Sequence, residues 1–261
     1  MNQRIELNES CTAWQVAGLA FLKKIGKAAA DLLFPPRCMV CQRLGAWLCT
    51  ACIAEIEMIY PPICHRCGLP LDAHGTERPC RIPPPLDGLR ACAFHDGPLR
   101  EAIHQFKYRD LTALAGPLGR LMATAWPALD GEWVPQVVVP VPLHPRRQRQ
   151  RGYNQAALLA MELSAALQIP LLEGALHRVK ATAPQVDLDA KQRSINVKDA
   201  FRCQPGRLDG RAVLLVDDVC TTGATLASAC EALKEAGATS VVAYTLARAR
   251  PPDERQFSLE S

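Results

Sequence analysis

Val213-Leu214-Leu215-Val216-Asp217-Asp218-Val219-Cys220-Thr221-Thr222-Gly223-Ala224-Thr225-Leu226 runs from an apolar core segment through two acids into a turn of small and hydroxylic residues. Val213 to Val216 predict a buried strand ending in the carboxylates of Asp217 and Asp218, and the turn leads straight into a helix. Backbone N–H groups and threonine hydroxyls at a helix start form a cup for a phosphate, helped by the helix dipole. Two carboxylates beside that cup accept hydrogen bonds from neighbouring hydroxyls or hold a hydrated Mg²⁺. A ligand with a phosphate at one end and a diol nearby satisfies both halves, which describes a ribose 5-phosphate. No G-x-x-x-x-G-K-[ST] run occurs at this loop and no G-x-G-x-x-G is present, which disfavours a nucleoside-triphosphate loop and a dinucleotide fingerprint.

Outward from this segment, strands and helices alternate. Strands are expected at Gln136 to Val141, Ile169 to Leu172, Arg211 to Val216 and Ser240 to Leu246. Helices are expected at Gly97 to Tyr108, Leu111 to Trp126 (kinked or split at Pro117), Asn154 to Gln168 and Ala224 to Ala236, the last closed by Gly237. That alternation predicts an α/β fold with a parallel sheet covered by helices. Trp14, Phe21, Ile25, Ala28 and Leu32 recur at helical spacing and predict an amphipathic helix packed on the protein's own body.

Of the 12 cysteines, nine lie in the first 92 residues. Cys38-x2-Cys41 and Cys49-x2-Cys52 form two short knuckles that suit a tetrahedral, closed and therefore structural zinc site. The apolar stretches between Arg37 and Ala93 are too short for a core of their own, so the metal takes its place. Cys64, Cys67 and Cys80 form a second set of three thiols; His74 is the better candidate for a fourth ligand and His65 the other, with an incomplete site the alternative. Cys11 and Cys92 stand apart and read as small buried hydrophobes.

Charge and composition exclude the extreme classes. With 49% hydrophobic and 21% charged residues the chain is ordinary globular protein, and a net charge of +4 permits acidic partners without demanding them. The start Met-Asn-Gln-Arg-Ile-Glu lacks a basic signal-peptide opening and Ala13 to Leu22 is too short to span a bilayer, so a cytoplasmic protein with no membrane anchor is expected.

Phe106-Lys107-Tyr108-Arg109-Asp110, Pro140-Val141-Pro142-Leu143-His144-Pro145, Arg151-Gly152-Tyr153-Asn154-Gln155 and the Asp-Asp-x-x-x-Thr-Gly-Ala-Thr run follow one another in an order that, with the cysteine pairs, resembles the ComF/GntX family. The resemblance runs from about Leu32 to Arg248. It implies a double zinc-ribbon-like domain over residues 37–95 and a type I phosphoribosyltransferase-like domain over 96–250; the segment 1–36 holding the amphipathic helix and the polar tail over 251–261 flank them. It also implies a part in natural competence and in handling incoming single-stranded DNA. By position, Asp217 and Asp218 take the ribose hydroxyls of phosphoribosyl diphosphate (PRPP) with its Mg²⁺, and Thr221, Thr222, Gly223, Ala224 and Thr225 take the 5-phosphate. Leu143 to Arg147 correspond to the pyrophosphate loop, where Arg146 and Arg147 would neutralise a diphosphate. Lys180 to Asn196, with Gln185, Arg193 and Asn196, resembles the loop that closes over such sites, a plain surface loop being the alternative. Lys107, Arg109, Arg149 and Arg151 are candidates for nucleic-acid contact. Thr221 stands where some oxopurine-salvage enzymes carry an acid, and the second cysteine set lacks one of the family's cysteines. Two functions follow: a phosphoribosyl-binding, DNA-handling protein that works with the competence machinery, or a Mg²⁺-dependent phosphoribosyltransferase for an unidentified small acceptor.

Overall fold

Val213, Leu214, Leu215 and Val216 are fully buried, so both faces of their strand are covered, as a central strand of a parallel sheet requires. The computed structural model describes residues 35–71, 80, 82–108, 111–129, 133–180 and 199–251. The amphipathic helix from Trp14 to Leu32, Cys11, His74, Arg109, Gln185, Arg193, Asn196 and the tail beyond 251 lie outside the described residues.

The chain divides into two units, Met1–Cys49 and Thr50–Ser261. In the first, an antiparallel bridge between Arg37 and Leu44 closes a turn in which the Cys38 N–H bonds the Arg43 carbonyl at 2.8 Å. The second unit begins with α1 (Thr50–Ala54) and continues with β1 (Gly88–Phe94), α2 (Gly97–Tyr108), a 3₁₀ turn (Thr112–Leu114), α3 (Ala115–Leu129), β2 (Val137–Pro140), α4 (Pro145–Arg151) and α5 (Gln155–Leu167). The short strands β3 (Leu176–Arg178) and β4 (Phe201–Cys203) precede β5 (Ala212–Cys220), α6 (Ala224–Glu235) and β6 (Ser240–Arg248). Four strands pair in parallel in the order β1-β6-β5-β2, and β3 and β4 form a separate antiparallel pair. Helices α3 and α5 pack on each other and span the sheet, α3 against β1 and α5 against β2 and β5. Helix α6 packs on β5, β6 and the β3–β4 pair, which puts it on the opposite face. The connections after β2 and β5 therefore leave on opposite sides, and a crevice opens between their carboxyl ends.

Several expectations change in the structure. β5 does not stop at Val216 but runs to Cys220, because β6 continues to supply partners at Thr245, Ala247 and Arg248. The expected strand at Ile169 to Leu172 is a single parallel bridge between Leu171 and Val138, since Pro170 has no N–H to extend the pairing. The helix expected over Leu111 to Trp126 breaks just ahead of Pro117 into the 3₁₀ turn and α3, and Pro117 is the third residue of α3, where an N–H has no intrahelical acceptor. Gly88–Phe94, which the sequence places at the end of the 37–95 ribbon segment, is a fully buried strand of the main sheet. The run Gly-Leu-Arg-Ala-Cys-Ala-Phe has no β-branched residue and no alternation, so neither strand signal was there to read. The free edge of β1 is covered by residues 57–59: the Ile59 N–H donates to the Cys92 carbonyl at 3.0 Å and the Phe94 N–H to Glu57 at 2.9 Å.

Candidate functional site

A cavity of about 320 Å³ opens at the carboxyl ends of β1, β2 and β5. Asp217, Asp218, Val219, Thr221 and Thr225 line one side, Val141, Pro142 and Leu143 the next, and Lys107, Arg147 and Arg151 bring positive charge.

The two acids alternate in direction along β5, yet both reach the cavity because they lie near the strand's open end. Asp218 is 8% exposed and its Oδ1 pairs with Lys107 Nζ at 2.9 Å. Asp217 accepts the Asp218 N–H at 2.8 Å, but burial and the neighbouring carboxylate push it up to about 7, against the pull of Lys107 and Arg178. A donor set of this kind suits a divalent cation or a diol: either relieves the repulsion between the two carboxylates. Downstream, Gly223 turns the chain at φ 80° into α6, and the Thr222 hydroxyl accepts the Ala224 N–H at 3.4 Å. Thr221 and Thr225 face the cavity; Thr222, Gly223 and Ala224 shape the turn without lining it.

The basic run is a helix, not a turn. Pro145 opens α4 at its first position and the His144 ring accepts the Arg146 N–H at 3.3 Å, a local start signal that continues the pyrophosphate-loop segment as helix. Helical spacing then sorts the arginines. Arg147 and Arg151, four apart, share the face that lines the cavity, while Arg149 borders a shallow outer hollow with Pro145, Gln148 and Gly152. Arg146, expected beside Arg147 at a diphosphate, does not line the cavity. Lys107 and Arg151, expected on a nucleic-acid surface, line it.

The segment Arg151-Gly152-Tyr153-Asn154-Gln155 builds the cavity wall. Gly152 ends α4 in the left-handed region at φ 79°. The Tyr153 hydroxyl donates to the Phe106 carbonyl, and Gln155 Nε2 donates to the same carbonyl at 3.4 Å. Asn154 caps α5 by accepting the Ala156 N–H at 3.1 Å, and its amide donates to the Val141 carbonyl at 3.0 Å. Five consecutive residues thus tie the end of α2, the end of β2 and the start of α5 together.

Sequence reasoning missed His95, Tyr108 and Arg178 as lining residues. His95 follows the unread strand β1; burial first, then Lys107, lowers its pKa, which favours the neutral imidazole at the cavity. Arg178, at the end of β3, sits 5.4 Å from the Phe201 ring centroid, and burial lowers its pKa while Asp217 offsets that. Nothing local in the sequence points to either.

The cysteines gather as their spacing predicts. In the first unit the Cys41 and Cys49 sulfurs lie 3.6 Å apart and the Cys49 N–H donates to Cys38 Sγ at 3.5 Å; in the second, the sulfurs of Cys64, Cys67 and Cys80 lie within 4.8 Å of one another. Burial opposes ionisation of Cys38, but N–H groups of Cys41, Cys49 and Val40 bring it down to about 6, towards the thiolate a metal needs. Thiols gathered in this way fit the structural zinc of a zinc ribbon. In the second set the Gly68 N–H donates to the Cys64 carbonyl and the Cys64 N–H to Leu69, both at 2.8 Å, which folds the knuckle. His65 is not part of that group among the described residues. Cys92 is buried and pushed up to about 12 by desolvation, as a core residue would be.

Residues 29–81 match the double zinc ribbon domain and residues 152–257 the phosphoribosyl transferase domain. The DNA utilization protein YhgH of Escherichia coli (strain K12) is 35% identical over 228 residues, covering 83% of this chain and 99% of that protein. Competence protein F of Haemophilus influenzae is 35% identical over 211 residues, 77% of this chain and 90% of its own. Among solved structures, glutamine PRPP amidotransferase from B. subtilis aligns with a TM-score of 0.35 and 21% identity over 51% of this chain and 26% of that one. No helix among the described residues is long and apolar enough to cross a membrane.

Proposed function

The chain belongs to the ComF/GntX family, that of competence protein F and DNA utilization protein YhgH, and on that footing we propose that it binds PRPP or a related phosphoribosyl compound with Mg²⁺ in the cavity at the end of β5. The observation that carries this reading is the meeting of Asp217 and Asp218 with Thr221, Thr225 and Arg147 around one cavity. Asp217 and Asp218 would hold the ribose hydroxyls and the hydrated cation, the turn from Thr221 to Thr225 the 5-phosphate, and Arg147 with Arg151 the diphosphate. Mg²⁺, when bound, supplies charge neutralisation to that diphosphate. For a transfer reaction, an acceptor's lone pair forms a bond to the ribose anomeric carbon as its bond to the diphosphate oxygen breaks. Arg147 then lies where the departing negative charge develops. Two relatives are named for DNA utilization and competence, and we extend that setting to this chain as the context in which the ligand is met.

The experiment is calorimetric titration of the zinc-loaded chain with PRPP, with and without Mg²⁺, against an Asp217→Asn, Asp218→Asn variant. Mg²⁺-dependent binding that the double substitution abolishes supports the reading; equal affinity in both proteins overturns it. Pyrophosphate release with candidate acceptors separates binding from transfer.

A second reading, direct contact with single-stranded DNA, draws on α4. That helix buries none of its residues and carries four arginines without an acid in its sequence Pro-Arg-Arg-Gln-Arg-Gln-Arg. Arg146 and Arg149 lie off the cavity and offer phosphates an open surface. Binding that weakens steeply with salt, and weakens further in an Arg146→Glu, Arg149→Glu variant, supports it; no binding at low salt removes it.

A further inference from the structure

Arg248 is the last residue of β6 and only 6% exposed, a cation buried at the carboxyl end of the sheet. It is in register with both neighbouring strands, with Phe94 in β1 and with Cys220 in β5. Each of these partners stands one residue ahead of the cavity: His95 follows the first, Thr221 the second, and both line it. Backbone hydrogen bonds fix the two junctions. The His95 N–H donates to the Arg248 carbonyl at 2.7 Å, and the Ala249 N–H to the Cys220 carbonyl at 2.9 Å.

The side chain of Arg248 reaches the second cysteine set instead. Its guanidinium donates to the Cys67 carbonyl, and the ion pairs among the described residues do not include it. A buried cation held by a neutral carbonyl is poorly compensated. Zinc on the thiolates of Cys64, Cys67 and Cys80 would change that, because three thiolates around a divalent ion leave a net negative charge beside the guanidinium. The same knuckle is tied to β1, where the Leu89 N–H donates to the Arg66 carbonyl at 2.8 Å. Metal set and cavity thus meet at one residue.

We propose that Arg248 is a positioning residue that couples metal binding at Cys64, Cys67 and Cys80 to ligand binding at the turn from Thr221 to Thr225. With the metal held, the guanidinium is anchored, and the ends of β1, β5 and β6 keep His95 and Thr221 at the cavity. With the thiols empty, the knuckle no longer fixes the Cys67 carbonyl, and the turn loses its rigid start. Coupling between two sites is reciprocal, so a ligand at the turn tightens the metal by the same factor. This rests on the phosphoribosyl reading above and adds metal occupancy to what sets the affinity of that cavity.

The test titrates the zinc-loaded full chain against a chromophoric zinc chelator in excess Mg²⁺, with and without saturating PRPP. Cys80→Ser identifies the step that belongs to the second set, and the step that remains in it controls for zinc taken up by PRPP itself. In wild type, PRPP should tighten the second step about tenfold, within the usual range for coupled sites, and leave the other unmoved. Arg248→Met should bring that factor to about one while calorimetry still shows PRPP binding, and Arg248→Lys, which keeps the charge, should retain most of it. A second step that PRPP leaves unchanged in wild type overturns the inference even though PRPP binds. Full coupling in Arg248→Met overturns it as well, since the two sites would then communicate without that residue. Failure of PRPP to bind zinc-loaded wild type overturns the underlying reading and this one with it.

Discussion

Asp217→Asn should make the protein more stable and less able to bind. Asn is isosteric with Asp, keeps an oxygen to accept the Asp218 N–H, and removes the charge that burial and the Asp218 carboxylate disfavour. Raising a carboxyl from its usual 3.8 to about 7 costs its ionised form on the order of 4 kcal/mol at about 1.36 kcal/mol per pH unit. The folded pKa lies above the unfolded one, so the contribution to stability is complete below about 3.8 and is lost as pH rises to about 7. The substitution should therefore gain little at acid pH, increasingly more between the two values, and a constant amount above the higher. Measured as urea unfolding at pH 5.5 and pH 8 with zinc present, the advantage of Asp217→Asn should grow by about 2 kcal/mol over that interval. Loss of Mg²⁺-dependent PRPP binding should accompany it, as expected where a site stores unfavourable charge for its ligand. An advantage that is the same at both pH values, or a variant less stable at pH 8, would refute the reasoning.

Other substitutions follow from the same geometry. Lys107→Met removes the 2.9 Å partner of a largely buried Asp218 and should cost about 2 kcal/mol at pH 7, between the values for exposed and buried pairs; urea unfolding equal to wild type contradicts the pairing. Gly68→Ala forces a side chain into a backbone at φ 66° and sets its Cβ 2.4 Å from the Leu89 carbonyl oxygen, so it should lower stability by about 2–4 kcal/mol; a melting temperature equal to wild type contradicts the packing. Cys67→Ser, by removing a thiol of the second set, should lower zinc content and raise amide exchange in β1 and β6 as well as in the knuckle; protection unchanged in those strands would mean that the knuckle is not part of their unit.

The legible parts of this molecule are those whose chemistry is local in sequence. Strand, acids, turn and helix occupy fourteen consecutive residues from Val213 to Leu226, and each CxxC pair fixes its own knuckle. β1 was illegible because its pairing partners, β6 and residues 57–59, and its cover by α3 come from elsewhere in the chain, while its own residues carry no strand preference. The arginines of α4 were legible as charge but not as direction. Once Pro145 and His144 start a helix, the four-residue spacing that pairs Arg147 with Arg151 follows at once. Tyr108, His95 and Arg178 reach the cavity from separate elements, and only the tertiary fold brings them to one place.

The same fold ties the second cysteine set to this cavity. Arg248, only 6% exposed at the end of β6, donates from its side chain to the carbonyl of Cys67. Its own carbonyl accepts the His95 N–H at 2.7 Å, and the next residue, Ala249, donates its N–H to Cys220 at 2.9 Å. His95 lines the cavity, and Cys220 immediately precedes Thr221. On the other side of the turn, a Cβ at Gly223 would meet Pro83, three residues beyond Cys80, at 3.1 Å. The turn from Thr221 to Thr225 is thus held at both ends by groups that lead back to the second cysteine set. Between Cys64 and Gly88 the chain has little apolar material with which to hold that position, so a metal held by Cys64, Cys67 and Cys80 would do there what side-chain packing does in the sheet's core.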